Sequence, residues 1–157
     1  MAVPKHLRQP KLGGQPEERQ VRLGADPETL ETQTIAWHFH RLDWKHEKWG
    51  WEQLKAPAWR QILAKLIAFE GLTWAMLKEQ AGGRRHGTNH HSIKIAELTK
   101  TARDRITQLH LDQYDKIFSL RFSNTIRMYG IRDGRVMRLL WYDQHHGTKH
   151  EVCPTGE

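Results

Sequence analysis

The stretch from residue 117 to residue 142 constrains the fold more than any other feature of this chain. Phe118, Leu120 and Phe122 alternate with Ser119, Arg121 and Ser123, the period of a strand with one apolar face. A turn around Asn124 leads into Ile126–Arg132, and Val136–Tyr142 forms a return run. Between them stands Asp133-Gly134, a strong signal for a two-residue hairpin, because such turns need the positive φ that glycine adopts readily. Three strands joined by short turns make an antiparallel meander. Its apolar face must be covered by another layer.

Upstream residues supply that layer. Ile35, Trp37 and Phe39 alternate with Ala36, His38 and His40, which predicts a first strand. Pro57 suits a first helical turn, and Trp59, Ile62, Leu63, Leu66 and Ile67 follow at helical spacing up to Gly71, predicting an amphipathic helix. Thr73 predicts the cap of a second, short helix running to about Ala81, where Gly82-Gly83 stop it. Gly82–Ser92 reads as a basic, polar loop. Ile95, Leu98, Ala102, Ile106 and Leu109 then share one face of a third helix, from about Ile95 to His110. The expected fold class is α+β: an N-terminal strand, then two to three helices packed on a C-terminal three-stranded antiparallel meander. In that arrangement one sheet face is left open.

The chain has 157 residues, about one domain. Residues 1–33 hold four of its six prolines and none of its fourteen aromatic residues. Such a segment has too little apolar surface to offset its ordering entropy, so 1–33 reads as a flexible tail and 34–157 as a single domain. The start of the chain lacks the apolar run of a secretory signal, and nothing approaches the ~20 apolar residues of a membrane span. Cys153 stands alone, so an internal disulfide is excluded and a reducing, cytoplasmic compartment is expected. Walker-type, dinucleotide and serine-elbow motifs are missing. That disfavours nucleotide-driven chemistry, and no cofactor is expected.

Charge gives the functional lead. The net charge is +7, and residues 117–142 hold five arginines against one acid. Guanidinium groups bind phosphate oxygens through paired hydrogen bonds. Arg121, Arg127, Arg132, Arg135 and Arg138 therefore read as a nucleic-acid-binding stripe, joined by Arg84 and Arg85 in the basic loop. The balancing reading, ordinary solvated positions opposite a core, is disfavoured because acids that would neutralise the stripe are missing nearby in sequence. Tyr129 or Tyr142 near the stripe would offer rings for unpaired bases. Eight of the eleven histidines cluster at 38/40, 86/90/91 and 145/146/150. His38 and His40 share a strand face and so form a conceivable metal pair, but zinc sites show tighter Cys/His spacing, and no metal is expected. Most of these histidines read as solvated loop residues, with one of them acting as an acid or base. Cys153, three residues from His150, reads as a structural or exposed thiol rather than a nucleophile.

The terminal third, Phe118-Ser119-Leu120-Arg121-Phe122, Ile126-Arg127-Met128-Tyr129-Gly130-Ile131 and Val136-Met137-Arg138-Leu139-Leu140-Trp141-Tyr142, resembles the RelE/ParE superfamily of small bacterial toxins. The ending, Trp141-Tyr142-Asp143 with His150-Glu151-Val152, also resembles a group of uncharacterised small bacterial proteins. The second strand opens on Ser123-Asn124-Thr125-Ile126-Arg127 where the superfamily shows a Gly-Asp-Tyr-Arg-like run. The resemblance implies a metal-independent endoribonuclease acting on RNA, free or ribosome-bound, and an antitoxin-like protein partner. Arg121, Arg127 and Arg138 would supply charge stabilisation. His145, His146 or His150 would be the acid or base, with Tyr142 an alternative acid, and His90 and His91 would join them if their loop folds over the sheet.

Two other readings use the same residues. A non-catalytic nucleic-acid-binding module needs the arginines without an acid–base pair. A protein-interaction module would use Trp44, Trp49 and Trp51 as an exposed anchor, unless those rings seal the core.

Overall fold

The computed structural model describes residues 27–80, 90–146, 148–149 and 151–154. Its elements are α1 (Pro27–Glu31), β1 (Ala36–His38), α2 (Ala56–Glu70), α3 (Trp74–Glu79), β2 (His90–Lys94), α4 (Lys100–Gln108), β3 (Lys116–Arg121), β4 (Arg127–Asp133) and β5 (Val136–Asp143). The class is α+β, and the sheet is larger than the meander. Five strands run in the order β1-β5-β4-β3-β2, with β1 parallel to β5 and the other pairs antiparallel.

The meander forms as its alternation predicts. The turn between β4 and β5 is Gly134-Arg135, with Asp133 paired to Val136, so the two-residue loop lies one position beyond Asp133-Gly134. Gly134 takes φ +61, where a side chain would be strained. The register shift opposite Tyr129/Gly130 leaves Leu140 of β5 as an extra, unpaired residue, and a Cβ on Gly130 would meet the Arg138 carbonyl at 2.4 Å. Glycine is the residue that lets the two backbones approach.

β2 corrects the expected loop over Gly82–Ser92. Residues 81–89 lie outside the described residues, but His90–Lys94 pairs in register with Lys116–Leu120. Only Ile93 in this strand is apolar, so its side-chain pattern carries no strand period. Backbone pairing with β3 makes the strand. The third helix is also shorter than expected. Ile95–Glu97 is a 3₁₀ turn and Leu98 is extended. Thr99 then caps α4 by accepting the Ala102 N–H at 3.3 Å.

Both sheet faces are covered, against the expectation of one open face. On the first face α2 and α3 pack through Ile62, Leu66, Phe69, Trp74 and Leu77 onto Phe118, Leu120, Met128, Met137, Leu139 and Tyr142. On the second face α4 packs through Ala102 and Ile106 onto Ile117, Tyr129, Ile131, Leu140 and Trp141. The second layer escaped the alternation argument because Tyr129 and Trp141, at positions opposite the first core, are themselves buried core residues.

The tryptophan-rich loop joins the two cores. Asp43 N–H donates to the Leu140 carbonyl and Tyr142 N–H to the Trp49 carbonyl, each at 3.1 Å, so this loop covers β5 beyond the end of β1. Trp51 enters the first core and Trp49 the second. The exposed-anchor reading therefore fails for both of these rings, which seal the core instead, while Trp44 remains exposed. The end of the tail is part of the fold as well: Glu31 of α1 pairs with Lys78 at 2.9 Å and with Arg132 at 2.7 Å.

Candidate functional site

The five arginines do not form one stripe. Arg121 and Arg127 face each other across β3 and β4, and Arg127 faces Asp143 across β4 and β5. Arg132, Arg135 and Arg138 lie at or beside the hairpin, at the opposite end of the sheet. Five residue steps along β4 separate Arg127 from Arg132, about 17 Å at the usual rise.

At the hairpin end the arginines are committed to the fold. Arg132 donates to Glu31 Oε1 at 2.7 Å and to the Gly134 carbonyl, and its guanidinium lies 4.1 Å from the Trp74 ring centre. Arg138 donates to Asp133 and to the Tyr114 hydroxyl. The expectation that acids are missing nearby is thus overturned for these two residues. Glu31 arrives from the far end of the sequence, and Asp133 reaches back across the turn. Arg135 is exposed.

The other end is built differently. On the second sheet face, period two brings Ser119, Arg121, Arg127, Tyr129 and Asp143 together, with His91 of β2 in register with Ser119. Arg127, 9% exposed, donates through Nη1 to the Ser123 and Ile126 carbonyls at 2.6 and 3.0 Å. Among the described residues it has no carboxylate within ion-pair distance. Arg121 donates to the Ser123 carbonyl and to Asn124. The chain after β5 folds back over this end. His146 N–H donates to the Thr125 carbonyl at 2.9 Å, and His146 Nδ1 lies 3.1 Å from the Tyr129 hydroxyl. That hydroxyl is 3.5 Å from Cys153 Sγ.

Electrostatics follow from burial. Burial pushes the Tyr129 phenol well above its ordinary value, with Cys153 adding to the shift, and burial pushes the Cys153 thiol up as well. Both therefore stay protonated near neutral pH. Asp143 is pushed up by burial, partly offset by the His145 N–H that its Oδ1 accepts at 2.9 Å. Its Oδ2 has no hydrogen bond among the described residues and lies 4.0 Å from His146 Nδ1. His90, one row inward, is pushed down to about 4, first by burial and then by Arg127, Arg121, His91 and Lys65. Its Nδ1 accepts the Arg121 backbone N–H at 3.1 Å, so at neutral pH it is an uncharged acceptor inside a positive field.

The sequence-derived site residues divide accordingly. Arg121, Arg127 and His146 come together, and His145 follows Asp143 on the exposed turn. Strand pairing rather than a folded loop brings His90 and His91 to this sheet end, His91 on the second face beside Ser119 and His90 on the first, its ring edge-on to Phe69. Tyr142 does not: it points to the first face, with Trp51 and Phe122 at ring distances of 6.2 and 6.3 Å. A one-residue step along β5 placed it on the opposite side from Asp143. His150, Arg84 and Arg85 lie outside the described residues. Tyr129 is fully buried, so it offers no face for base stacking. Tyr129 as a hydrogen-bonding member and Asp143 were missed; the signal for Tyr129 was its place two residues from Arg127 on β4, whereas Asp143 reaches Arg127 only through the β4–β5 register. Among the described residues no group of three or more His, Cys, Asp or Glu is arranged to hold a metal, and no helix is long and apolar enough to cross a membrane.

The chain matches no family model, no curated protein and no solved structure.

Proposed function

We propose that the protein binds RNA at the Arg121–Arg127 end of its sheet and cleaves it there, the phosphate charge being met by guanidinium groups. The observation that carries this reading is the meeting of Arg127, a buried cation with no carboxylate partner among the described residues, with His146 hydrogen-bonded to Tyr129. As the acid, His146 acts in its imidazolium form: its Nδ1–H donates to the Tyr129 oxygen, Tyr129 O–H donates to Cys153 Sγ, and Nε2 carries the proton to be transferred. His145, on the adjacent exposed turn, takes the proton of a ribose 2′-hydroxyl as that oxygen attacks the phosphorus. His146 gives its Nε2 proton to the departing 5′-oxygen, leaving a 2′,3′-cyclic phosphate and a 5′-hydroxyl. Arg127 and Arg121 offset the charge that grows on the phosphate oxygens. On this reading the substrate is RNA rather than DNA because the nucleophile is the 2′-hydroxyl. A toxin-type role, with an antitoxin-like partner and action on ribosome-bound RNA, is the biological setting this activity suits.

The test is incubation of the full chain with end-labelled RNA and matched DNA. RNA products ending in cyclic phosphate, lost in Arg127→Lys and His146→Ala while folding is kept, are expected. RNA binding that falls with salt but gives no products would leave a binding module. Equal activity in wild type and His146→Ala would remove His146 from the chemistry.

A further inference from the structure

α2 is apolar almost all the way round. Ile62, Leu66 and Phe69 are buried on the sheet, yet Leu63 and Ile67 are 47% and 67% exposed, and Ala56, Ala64 and Ala68 are exposed with them. A surface helix of a folded domain normally turns a polar face outward. Here Ala56, Leu63 and Ile67, at helical spacing, form one outward stripe. Beside it an open groove of about 240 Å³ runs between α2 and β1, lined by Trp37, Phe39, Leu63, Leu66, Ile67 and Glu70. Toward the start of the helix Trp44 stands 51% exposed, its ring 6.3 Å from that of Trp59. Contiguous exposed apolar groups mark a contact surface better than scattered ones do.

The charges around this stripe are few and ordered. Arg60 and Glu70 are the only exposed charged residues of α2, and neither makes an ion pair among the described residues. Lys65, the third charged residue of the helix, is half-buried, and its charge acts on His90. The order is unfavourable for the helix alone. Lys55 stands at the N-cap and Glu70 in the last turn, with no acid in the first turn and no base in the last. Each of these two charges therefore meets the like end of the helix dipole.

We infer that a second copy of this chain covers this face, the two α2 helices packing antiparallel about a two-fold axis near residue 65. Positions equally far from that residue then face each other across the interface. Leu63 of each copy meets Ile67 of the other at the mouth of its groove, and Arg60 of each copy lies beside Glu70 of the other. Glu70 approaches the N-terminal half of the opposite helix and Arg60 the C-terminal half, the favourable sense for both dipoles. Ala64 and Ala68 add no bulk that would hold the helices apart. A parallel copy would set Arg60 against Arg60 and Glu70 against Glu70. A lipid surface would leave Glu70 without a partner. The antiparallel copy satisfies the apolar stripe and both charges at once.

The dimer stands independently of the cleavage reading and is compatible with it. α2 covers the first face of the sheet, whereas Arg127, Tyr129 and Asp143 lie on the second. The sites of the two copies therefore stay clear of the interface.

The test is sedimentation velocity of the full chain over a wide range of concentration, which is expected to show the mass of one chain giving way to that of two. Ile67→Asp should weaken dimerisation about a hundredfold or more, because the symmetry counts each buried apolar side chain twice. The position is exposed, and an unchanged circular dichroism spectrum verifies that the fold is kept. Arg60→Glu and Glu70→Arg should each weaken the dimer about tenfold, and the two substitutions together should recover most of that loss. A monomer at every concentration, or a dimer indifferent to Ile67→Asp, would overturn the inference. A double variant as weak as the single ones would overturn it as well, since Arg60 and Glu70 would then not meet. A chain that stays monomeric but sediments with vesicles of phosphatidylcholine and phosphatidylserine, and loses this in Ile67→Asp, would overturn it in favour of a lipid surface.

Discussion

Asp43 and Asp143 are equally buried, each 2% exposed, and their carboxyl groups respond in opposite directions. Asp43 accepts from Arg105 Nε at 2.8 Å, from Arg105 Nη2 at 2.6 Å and from Trp141 Nε1 at 2.9 Å. Burial opposes its ionisation, but the hydrogen bonds from Arg105 and Trp141 and the Arg105 charge outweigh that and hold it below the ordinary carboxylate value. Asp143 has one backbone N–H and keeps an oxygen without a hydrogen bond among the described residues, so burial wins and pushes it up. Partners, not depth, separate a structural charge from a poised one. Asp43 ties the tryptophan loop to α4 and β5. Asp143 is held out of that economy of pairs, facing His146.

The sharpest test of this contrast is Asp43→Ala. It leaves Arg105 without its acid and the Trp141 N–H without its acceptor, and a loss of about 3–5 kcal/mol in urea unfolding is expected. A loss under about 1 kcal/mol, the level of an exposed ion pair, would show that the network is not structural. Arg127→Lys comes next. Lysine keeps the charge but not the fork, and RNA cleavage is expected to fall ~10²–10³-fold, the usual loss of one charge-stabilising donor. Unchanged cleavage would place the charge stabilisation elsewhere.

Asp143→Asn should reverse the Asp43 pattern, with stability altered by only about 1 kcal/mol or less and cleavage reduced about tenfold through loss of the carboxyl charge facing the His146 imidazole. pH separates the two aspartates further. Asp143 titrates above its ordinary 3.8 in the folded state, so the fold binds more protons there and stability falls as pH rises from 3.8 through the raised value. Asp43 titrates below 3.8 when folded, so its contribution is complete above 3.8 and is lost as pH falls through the lowered value. On acidification from neutral pH, wild type should gain stability relative to Asp143→Asn before the Asp43 loss begins. Parallel stability curves for the two proteins would contradict the raised carboxyl. The smallest effect is expected for Arg132→Ala at the hairpin end, about 1 kcal/mol from a half-exposed pair and one cation–π contact, with RNA binding unchanged. Weakened RNA binding there would restore the single arginine stripe.

Much of the fold was legible because its signals are local. Pro57 and Gly71 bracket α2 within a residue, Thr73 caps α3, and Gly134 supplies the positive φ of the hairpin. β2 was not legible, since His90, His91, Ser92 and Lys94 carry no apolar period and the strand exists through its pairing with β3. The helix read across Leu98 failed because Thr99, inside an unbroken apolar pattern, offers its hydroxyl to Ala102 N–H and starts a new helix. The site was half legible. Arg121, Arg127, His145 and His146 stood out by type and position, whereas Tyr129 and Asp143 acquire meaning only from register and from the chain folding back after β5.

By itself the sequence determined the meander, the positions of α2 and α3 and the concentration of arginine near the end of the chain. These depend on periods of two and of 3.6 residues and on glycine and threonine at turns and caps. The tertiary structure alone decided which arginines are neutralised, since Glu31 reaches Arg132 across 101 residues of sequence. It decided that both faces are covered, that β1 joins β5 in parallel, and that half of the α2 stripe stays outside. Local pattern states which side chains prefer burial; only packing settles which neighbours take up the available surface and charge.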